Sequence, residues 1–591
     1  MTASAKPQTR LLSGNEALAL GAYHAGVSVA AAYPGTPSTE VLESLARFPD
    51  IYAEWSTNEK VAMEVALGAS YAGARALVAM KHVGLNVAAD PFLAAATTGV
   101  KGGLVVVSAD DPGIHSSQNE QDNRHYARLA KVPALEPSDS QEAYDLAMLA
   151  FAMSETFDTP VMLRSTTRVS HSKSVVRTAA QRVERDPAGF KHDLEKFVML
   201  PVFAWLRRPL IEERLVRLVR HAETFPFNQV FMSSPDLGIV TSGIAYQYAR
   251  EVFPGASFLK LGMTYPLPAG LIRDFASRVK RLVVIEELDP VLEEGIRALG
   301  LPVSGKEFIP RMGELNPAII EDAARAAGLL PGNPVIKAPE SPLPKRPPLL
   351  CPGCPHSALF FALNAFGQRS RASGRPKLII TGDIGCYTLG AYPPLNAMDT
   401  CACMGASIGQ AIGMEKAGVA EKVVAVIGDS TFLHSGVTPL VNAVYNQSRI
   451  TLVILDNSTT AMTGHQEHPG TGVTARGQPT DAVKLEDLVR GAGVSDVKVI
   501  DAFNVKEIVG GVRGALNNDR LSVIIVRGDC AVKIRDPAPA VTIDRQKCDD
   551  CGACLRLGCP AIQKNERLFI EETMCIGCGV CAQLCARRAI S

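Results

Sequence analysis

The sequence predicts a multidomain α/β protein built on parallel sheets, with a separate cysteine-rich tail. Three observations carry that reading. Its 591 residues exceed what one hydrophobic core supports. Short apolar runs such as ALVAMK, GLVVVSAD, RLVVIEEL, KVVAVIGD and TLVILDN alternate with Ala- and Gly-rich helical segments. Eight of the 14 cysteines fall in the last 44 residues at short, regular spacings. Lys and Arg balance Asp and Glu at 60 each, which removes any bulk electrostatic case for nucleic acid or an anionic membrane. MTASAKPQTR lacks the apolar centre of a signal peptide, and no run approaches the roughly 20 apolar residues of a membrane span. A cytoplasmic protein is expected, in which clustered cysteines serve metals or catalysis rather than disulfides.

The elements justify this in order. Within residues 1–175, LLSGNEALALGAYHAG reads as a helix, VSVAAAY as a strand and PGTPSTE as a loop opening the next helix. NEKVAMEVALGASYAG is a helix, ALVAMK, GLVVVSAD and TPVMLRS are strands, and DDPGIHSSQNEQDNRH is a polar loop. Residues 176–235 form a charged helical insert. Its Arg207, Arg208, Arg214, Arg217 and Arg220, interrupted by Glu212 and Glu213, read as a solvated helix face rather than as a dock for an acidic partner or coenzyme A. Residues 236–340 make a smaller α/β unit. KAPESPLPKRPPLLCPGCPH, with seven prolines, is a linker into a third α/β unit at 345–534, and DPAPAV links to the tail at 540–591.

In the tail, Cys548, Cys551, Cys554 and Cys559 follow C-x2-C-x2-C-x4-C-P. Cys575, Cys578, Cys581 and Cys585 follow C-x2-C-x2-C-x3-C. A loop presenting three thiolates with a remote fourth is how an iron–sulfur cluster is wrapped, whereas two such triads do not suit tetrahedral zinc. The arrangement resembles a two-cluster ferredoxin domain. That resemblance implies crossed ligation, with Cys548, Cys551, Cys554 and Cys585 on one 4Fe-4S cluster and Cys575, Cys578, Cys581 and Cys559 on the other. Two departures stand out, the extra residue before Cys559 and Ala586 in place of a proline.

KVVAVIGD and TLVILDN read as parallel strands joined by one helical crossover, so Asp429 and Asn457 end on the same sheet edge. Two hard oxygens there suit Mg²⁺ with phosphate, and Gly428 with Ser430 opens a helix towards the anion. The bland alternative is a helix-capping Asp and a turn Asn. The G-D-S…D-N spacing resembles the diphosphate motif of thiamine diphosphate enzymes, which makes Thr459 a third metal ligand. Such enzymes need one buried carboxylate at the aminopyrimidine. In EWSTNEKVA the matching acid is Glu59.

YPGTPSTE, EWSTNEKVA, LCPGCPH, GDIGCYTLG, DTCACMGASIG, VIGDSTFLHSG, LDNSTTAMTGH and the tail together resemble the indolepyruvate branch of the 2-oxoacid:ferredoxin oxidoreductases. The resemblance implies a pyrimidine-binding domain (1–175), the insert, a transketolase C-terminal-like domain (236–340), a diphosphate domain (345–534) and the ferredoxin domain. It implies an arylpyruvate substrate, coenzyme A, an external ferredoxin and a β subunit in an (αβ)₂ assembly. Thr36 becomes the donor to the substrate carboxylate. His356 becomes a proton-transfer or orienting group, with a structural loop histidine as its alternative. Asp383 and Gly385 line the diphosphate, and Thr463, Gly464, His465 and, more weakly, His434 line the pocket. Cys351 and Cys354 could form a small metal or redox site, but no second pair of ligands is evident. The rival functions are a non-oxidative thiamine decarboxylase or carboligase and a non-catalytic electron carrier.

Overall fold

A computed structural model describes residues 8–178, 181–185, 187–332, 347–371 and 378–591. Positions 1–7 of the N-terminal segment and 333–346, which include the first half of the proline-rich linker, lie outside the described residues. The chain divides into two compact units, Met1–Glu340 and Ser341–Ser591.

The first unit holds β1 (Gln8–Ser13), β2 (Val29–Ala32), β3 (Tyr52–Trp55), β4 (Ala76–Lys81), β5 (Leu104–Asp110), β6 (Ala134–Leu135), β7 (Val161–Thr166) and β8 (Lys173–Thr178). It continues with β9 (Gln229–Phe231), β10 (Ser234–Ser242), β11 (Ala256–Leu261), β12 (Met263–Tyr265) and β13 (Arg281–Ile285). The main sheet runs β12-β6-β7-β5-β4-β2-β3, parallel except at the edge strand β12. Strand alternation gives it two cores. Leu77, Ala79, Val105 and Val107 face the helices Gly14–His24 and Ser140–Phe157, while Val78, Met80, Leu104 and Val106 face Glu59–Tyr71 and Ala89–Thr98. A second sheet, β13-β10-β11-β9, is buried on both faces in the same way.

FLKLGMTYPLP does not stay in one sheet. β11 pairs with β10, and after Gly262 the chain crosses so that β12 pairs with β6 of the main sheet. Gly262 is required there, because a Cβ would sit 2.5 Å from the Phe227 side chain.

The basic helix is Pro201–Ala222, and its solvated-face reading fails for two of the five arginines. Arg207 and Arg214 are buried. Arg207 donates to Asp158 Oδ2 at 2.8 Å and Thr97 O at 3.1 Å, and Arg214 donates to Asp158 O and Ala96 O. Carbonyls at helix C-termini accept these guanidinium donors, so the helix is pinned by the residues read as its polar face.

The second unit holds β14 (Leu378–Gly382), β15 (Thr400–Cys401), β16 (Lys422–Gly428), β17 (Thr451–Asp456), β18 (Asp496–Asp501), β19 (Ser522–Arg527), β20 (Ile562–Lys564) and β21 (Leu568–Ile570). Its parallel sheet runs β15-β14-β16-β17-β19-β18. Val424, Val426, Val453 and Ile524 face one core, and Val423, Ala425, Ile427 and Ile454 face the other. The cysteine tail belongs to the first of these cores. Leu557, Ile562, Leu568, Val580 and Ile590 are buried with Leu363, Val512 and Val526, and Gln583 bonds Phe503 O and Val505 N. Among the described residues no helix is long and apolar enough to cross a membrane.

Candidate functional site

In the second unit, β14, β16, β17 and β19 end on one sheet edge, at Gly382, Gly428, Asp456 and Arg527. Asp429 follows β16 and is buried. Its Oδ1 accepts from Ser430 N at 2.7 Å, and its Oδ2 accepts from Asn457 N at 3.1 Å and Ser458 N at 2.9 Å. The two strand ends therefore meet. His468 Nε2 lies 3.3 Å from Asp429 Oδ2, while His468 Nδ1 accepts from Gly470 N. Burial opposes the Asp429 charge, but His468 and these N–H groups hold its pKa below the usual value. Beside it, burial and the Asp429 charge raise Asp456, with Arg527 donating to Asp456 at 2.7 Å in compensation.

Asn457 Oδ1 accepts from Thr459 N at 3.3 Å, so these two predicted ligands share one turn. The hydroxyls of Ser430 and Thr460 pair at 2.8 Å. Asp383 is differently placed. One oxygen accepts from the Tyr387 hydroxyl and the other from Ser407 Oγ at 2.8 Å, and burial pushes its pKa up to about 6. The backbone space at both Gly385 and Gly428 is taken by the Tyr387 ring, which would lie 2.2 Å and 2.6 Å from an added Cβ. The close approach expected of a phosphate at Gly428 is thus made in part by this tyrosine.

His356 is buried, with its ring edge-to-face on Tyr387 at 6.4 Å. Burial, opposed by the charge of Asp429, holds its pKa down to about 4, so it is neutral near pH 7. Thr463 Oγ1 donates to Gln466 Oε1, and His434 Nδ1 pairs with Ser435 Oγ.

The eight tail thiols fall into two sets. One pocket is lined by Cys548, Cys551, Cys554 and Cys585. A second is lined by Cys559, Cys575, Cys578 and Cys581. Backbone N–H groups of Ala589 and Gly577 point at Cys585 Sγ and Cys575 Sγ, at 3.2 Å and 3.5 Å. Among the described residues no three His, Cys, Asp or Glu gather tightly enough to hold one metal ion.

A further thiol group was not foreseen. Cys354 is raised in pKa by burial and by the neighbouring Cys386, Cys351 and Cys530, and Cys386 in turn by burial, Cys530 and Cys351. Cys530 N donates to Asn457 O at 3.2 Å, which puts this group beside the Asp429 turn. Cys386 and Cys530 are therefore near neighbours of Cys351 and Cys354. An added Cβ at Gly353 would lie 2.3 Å from the Ile576 side chain, and both residues line the second thiol cavity.

In the first unit, Asn58 caps the helix Glu59–Tyr71 by accepting from Val61 N at 2.9 Å. Glu59 opens that helix, buried at 4% exposure, with its Oε1 only 2.6 Å from where a Gly84 Cβ would stand. Thr36 follows β2 at the C-terminal sheet edge, and its carbonyl accepts from Ser116 Oγ at 3.4 Å.

Comparison with known proteins gives these sites a context. The family described as "Pyruvate flavodoxin/ferredoxin oxidoreductase, thiamine diP-bdg" matches residues 20–201. The family described as "Thiamine pyrophosphate enzyme, C-terminal TPP binding domain" matches residues 383–526. The indolepyruvate oxidoreductase subunit IorA of Archaeoglobus fulgidus is 44% identical over 98% of this chain and 97% of its own length. That of Pyrococcus horikoshii is 39% identical over 97% and 95%. Among solved structures, a 2-oxoglutarate:ferredoxin oxidoreductase from Magnetococcus marinus aligns with a TM-score of 0.45 and 19% identity, over 54% of this chain and 65% of that one, too distant to add to the assignment. A thiamine diphosphate-binding fold whose second unit carries a strand-end carboxylate and thiol-lined cavities, together with full-length identity near two-fifths, places the chain in the thiamine-dependent 2-oxoacid:ferredoxin oxidoreductase family, among the indolepyruvate oxidoreductase subunits.

Proposed function

We propose that the chain, with a β subunit in an (αβ)₂ assembly, converts arylpyruvates and coenzyme A to aryl-acetyl-CoA and CO₂, with two electrons delivered to ferredoxin. Indolepyruvate, phenylpyruvate and hydroxyphenylpyruvate are the substrates. The observation that supports this best is the joining, in one compact unit, of a buried, charged Asp429 to two groups of four thiols.

Asp429, Asn457 and the Thr459 carbonyl would hold Mg²⁺. Asp429 suits that role because N–H groups and His468 keep it charged in a buried place. Glu59, backed by Gly84, would hydrogen-bond the aminopyrimidine. Thiamine diphosphate, when bound, supplies the carbon nucleophile that releases CO₂ from a 2-oxoacid. Neutral His356 is able to take a proton near that reaction, and Asp383 acts by fixing Tyr387 and Ser407. Thr36 would donate to the substrate carboxylate.

The tail sets, Cys548/551/554/585 and Cys559/575/578/581, would each hold a 4Fe-4S cluster. A lone tetrahedral ion needs its sulfurs about 2.3 Å away, and among the described residues no three of these thiols gather that tightly. Cys351, Cys354, Cys386 and Cys530 would hold a third.

Anaerobic purification with the β subunit tests this. Expected are bound thiamine diphosphate, about eight irons per chain from the tail and about twelve with the third group, and ferredoxin reduction that requires both arylpyruvate and coenzyme A. Aldehyde release without reduction would select the decarboxylase instead, and iron without thiamine the electron carrier.

A further inference from the structure

We propose that Lys81 is the cation that receives the substrate carboxylate, alongside Thr36, and thereby selects 2-oxoacids over uncharged carbonyl compounds. This rests on the functional reading above, which gives the carboxylate a hydroxyl partner but no opposite charge.

Lys81 ends β4 on the sheet edge where the Gly35–Thr36 loop follows β2. Its aliphatic stem runs beneath that loop, since an added Cβ at Gly35 would meet Lys81 Cγ at 3.1 Å and Cδ at 3.2 Å. Its ammonium donates to Ser116 O at 2.9 Å, and Ser116 Oγ donates to Thr36 O at 3.4 Å. Lys81, Ser116 and Thr36 thus surround one point of the edge. The Ser116 loop is fixed by Asp111, which accepts from Ser116 N, Ser117 Oγ and Thr167 Oγ1.

An ammonium carries three donors, and the Ser116 carbonyl uses one. The acids that act on it are Asp111, already bonded three times, and Glu59, assigned above to the aminopyrimidine. Burial lowers its pKa against the pull of both, so the charge is partly stripped of water and pairs more strongly than a surface lysine. A rotatable point charge also suits a carboxylate that must leave as CO₂, because a rigid bidentate clamp would favour the bound substrate over the transition state.

The holo-complex carrying Lys81→Met or Lys81→Arg tests this. In calorimetric titrations with 3-(indol-3-yl)propionate and its carboxamide, the unaltered protein prefers the carboxylate by roughly tenfold or more. Lys81→Met erases that preference and raises KM for indolepyruvate by a similar factor, with thiamine diphosphate affinity and the KM for coenzyme A unchanged. Lys81→Arg restores most of the preference. A Lys81→Met protein that still prefers the carboxylate, or that loses thiamine affinity while its KM for indolepyruvate stays put, overturns the proposal. Glu59→Gln separates the two readings. Full activity in Glu59→Gln sinks the site assignment itself, whereas lost activity there beside an unaltered Lys81→Met sinks the lysine alone.

Discussion

The two units bury carboxylates in opposite ways. In the first, four are met by guanidinium groups. Arg124 donates to Asp122 at 2.9 Å and to Glu286 at 2.6 Å, and Arg164 donates to Asp110 at 2.7 Å and Glu136 at 2.8 Å, all nearly excluded from water. In the second, Asp429 is as deeply buried, but its described partners are backbone N–H groups and His468, with another carboxylate beside it. The first arrangement is closed to water, sets two guanidinium groups among four carboxylates and joins the two sheets of its unit. The second holds a charged carboxylate at the sheet edge without a guanidinium among its described partners, which suits the divalent cation proposed above.

Breaking the closed network should cost most. Arg124→Met leaves Asp122 and Glu286 without their partner, and urea unfolding should show a loss of about 3–5 kcal/mol. A loss well under 1 kcal/mol would mean the network is not closed as described. Asp429→Asn keeps the shape and removes the charge. Thiamine diphosphate affinity at fixed Mg²⁺ should fall roughly a thousandfold, about 4 kcal/mol, with unfolding unchanged or slightly harder.

Glu287 sharpens the contrast, being buried in the first unit with the Leu315 N–H at 3.0 Å but no arginine bonded to its carboxylate. Burial lifts its pKa from 4.5 to about 7. The folded state therefore holds a proton that the unfolded state has released, and stability falls as pH rises from 4.5 through about 7. The fall should reach roughly 3 kcal/mol, and Glu287→Gln should flatten it in hydrogen exchange of β4 and β5. The smallest effect concerns Glu59. Gly84→Ala places a methyl 2.6 Å from Oε1 and should slow proton exchange at the thiamine reactive carbon by about tenfold without altering metal binding.

What could be read from the sequence was what lies close together in it. The tail cysteines are legible because three of each set come from one short loop, and Asp429 with Asn457 because a single crossover joins their strands. Cys386 and Cys530 were missed because they follow different strands and come near Cys351 and Cys354 only through the sheet. A signal was present, since GDIGC, GDS and GDC each place Gly-Asp after a strand. His468 reaches Asp429 through a turn with no periodicity. β12 is three residues long, too short for alternation to show which sheet would capture it. Arg207 and Arg214 looked solvated because their partners are mostly main-chain carbonyls, which carry no side-chain signature.

The shared apolar interior of the tail and the six-stranded sheet bears on how the protein matures. Ending the chain before Val541 would uncover Leu363 and Val512 as well as remove thiols, leaving a sticky intermediate rather than a smaller enzyme. On the cluster assignment proposed above, iron loading and completion of the fold are coupled, and starvation for iron should show up first as lost protein.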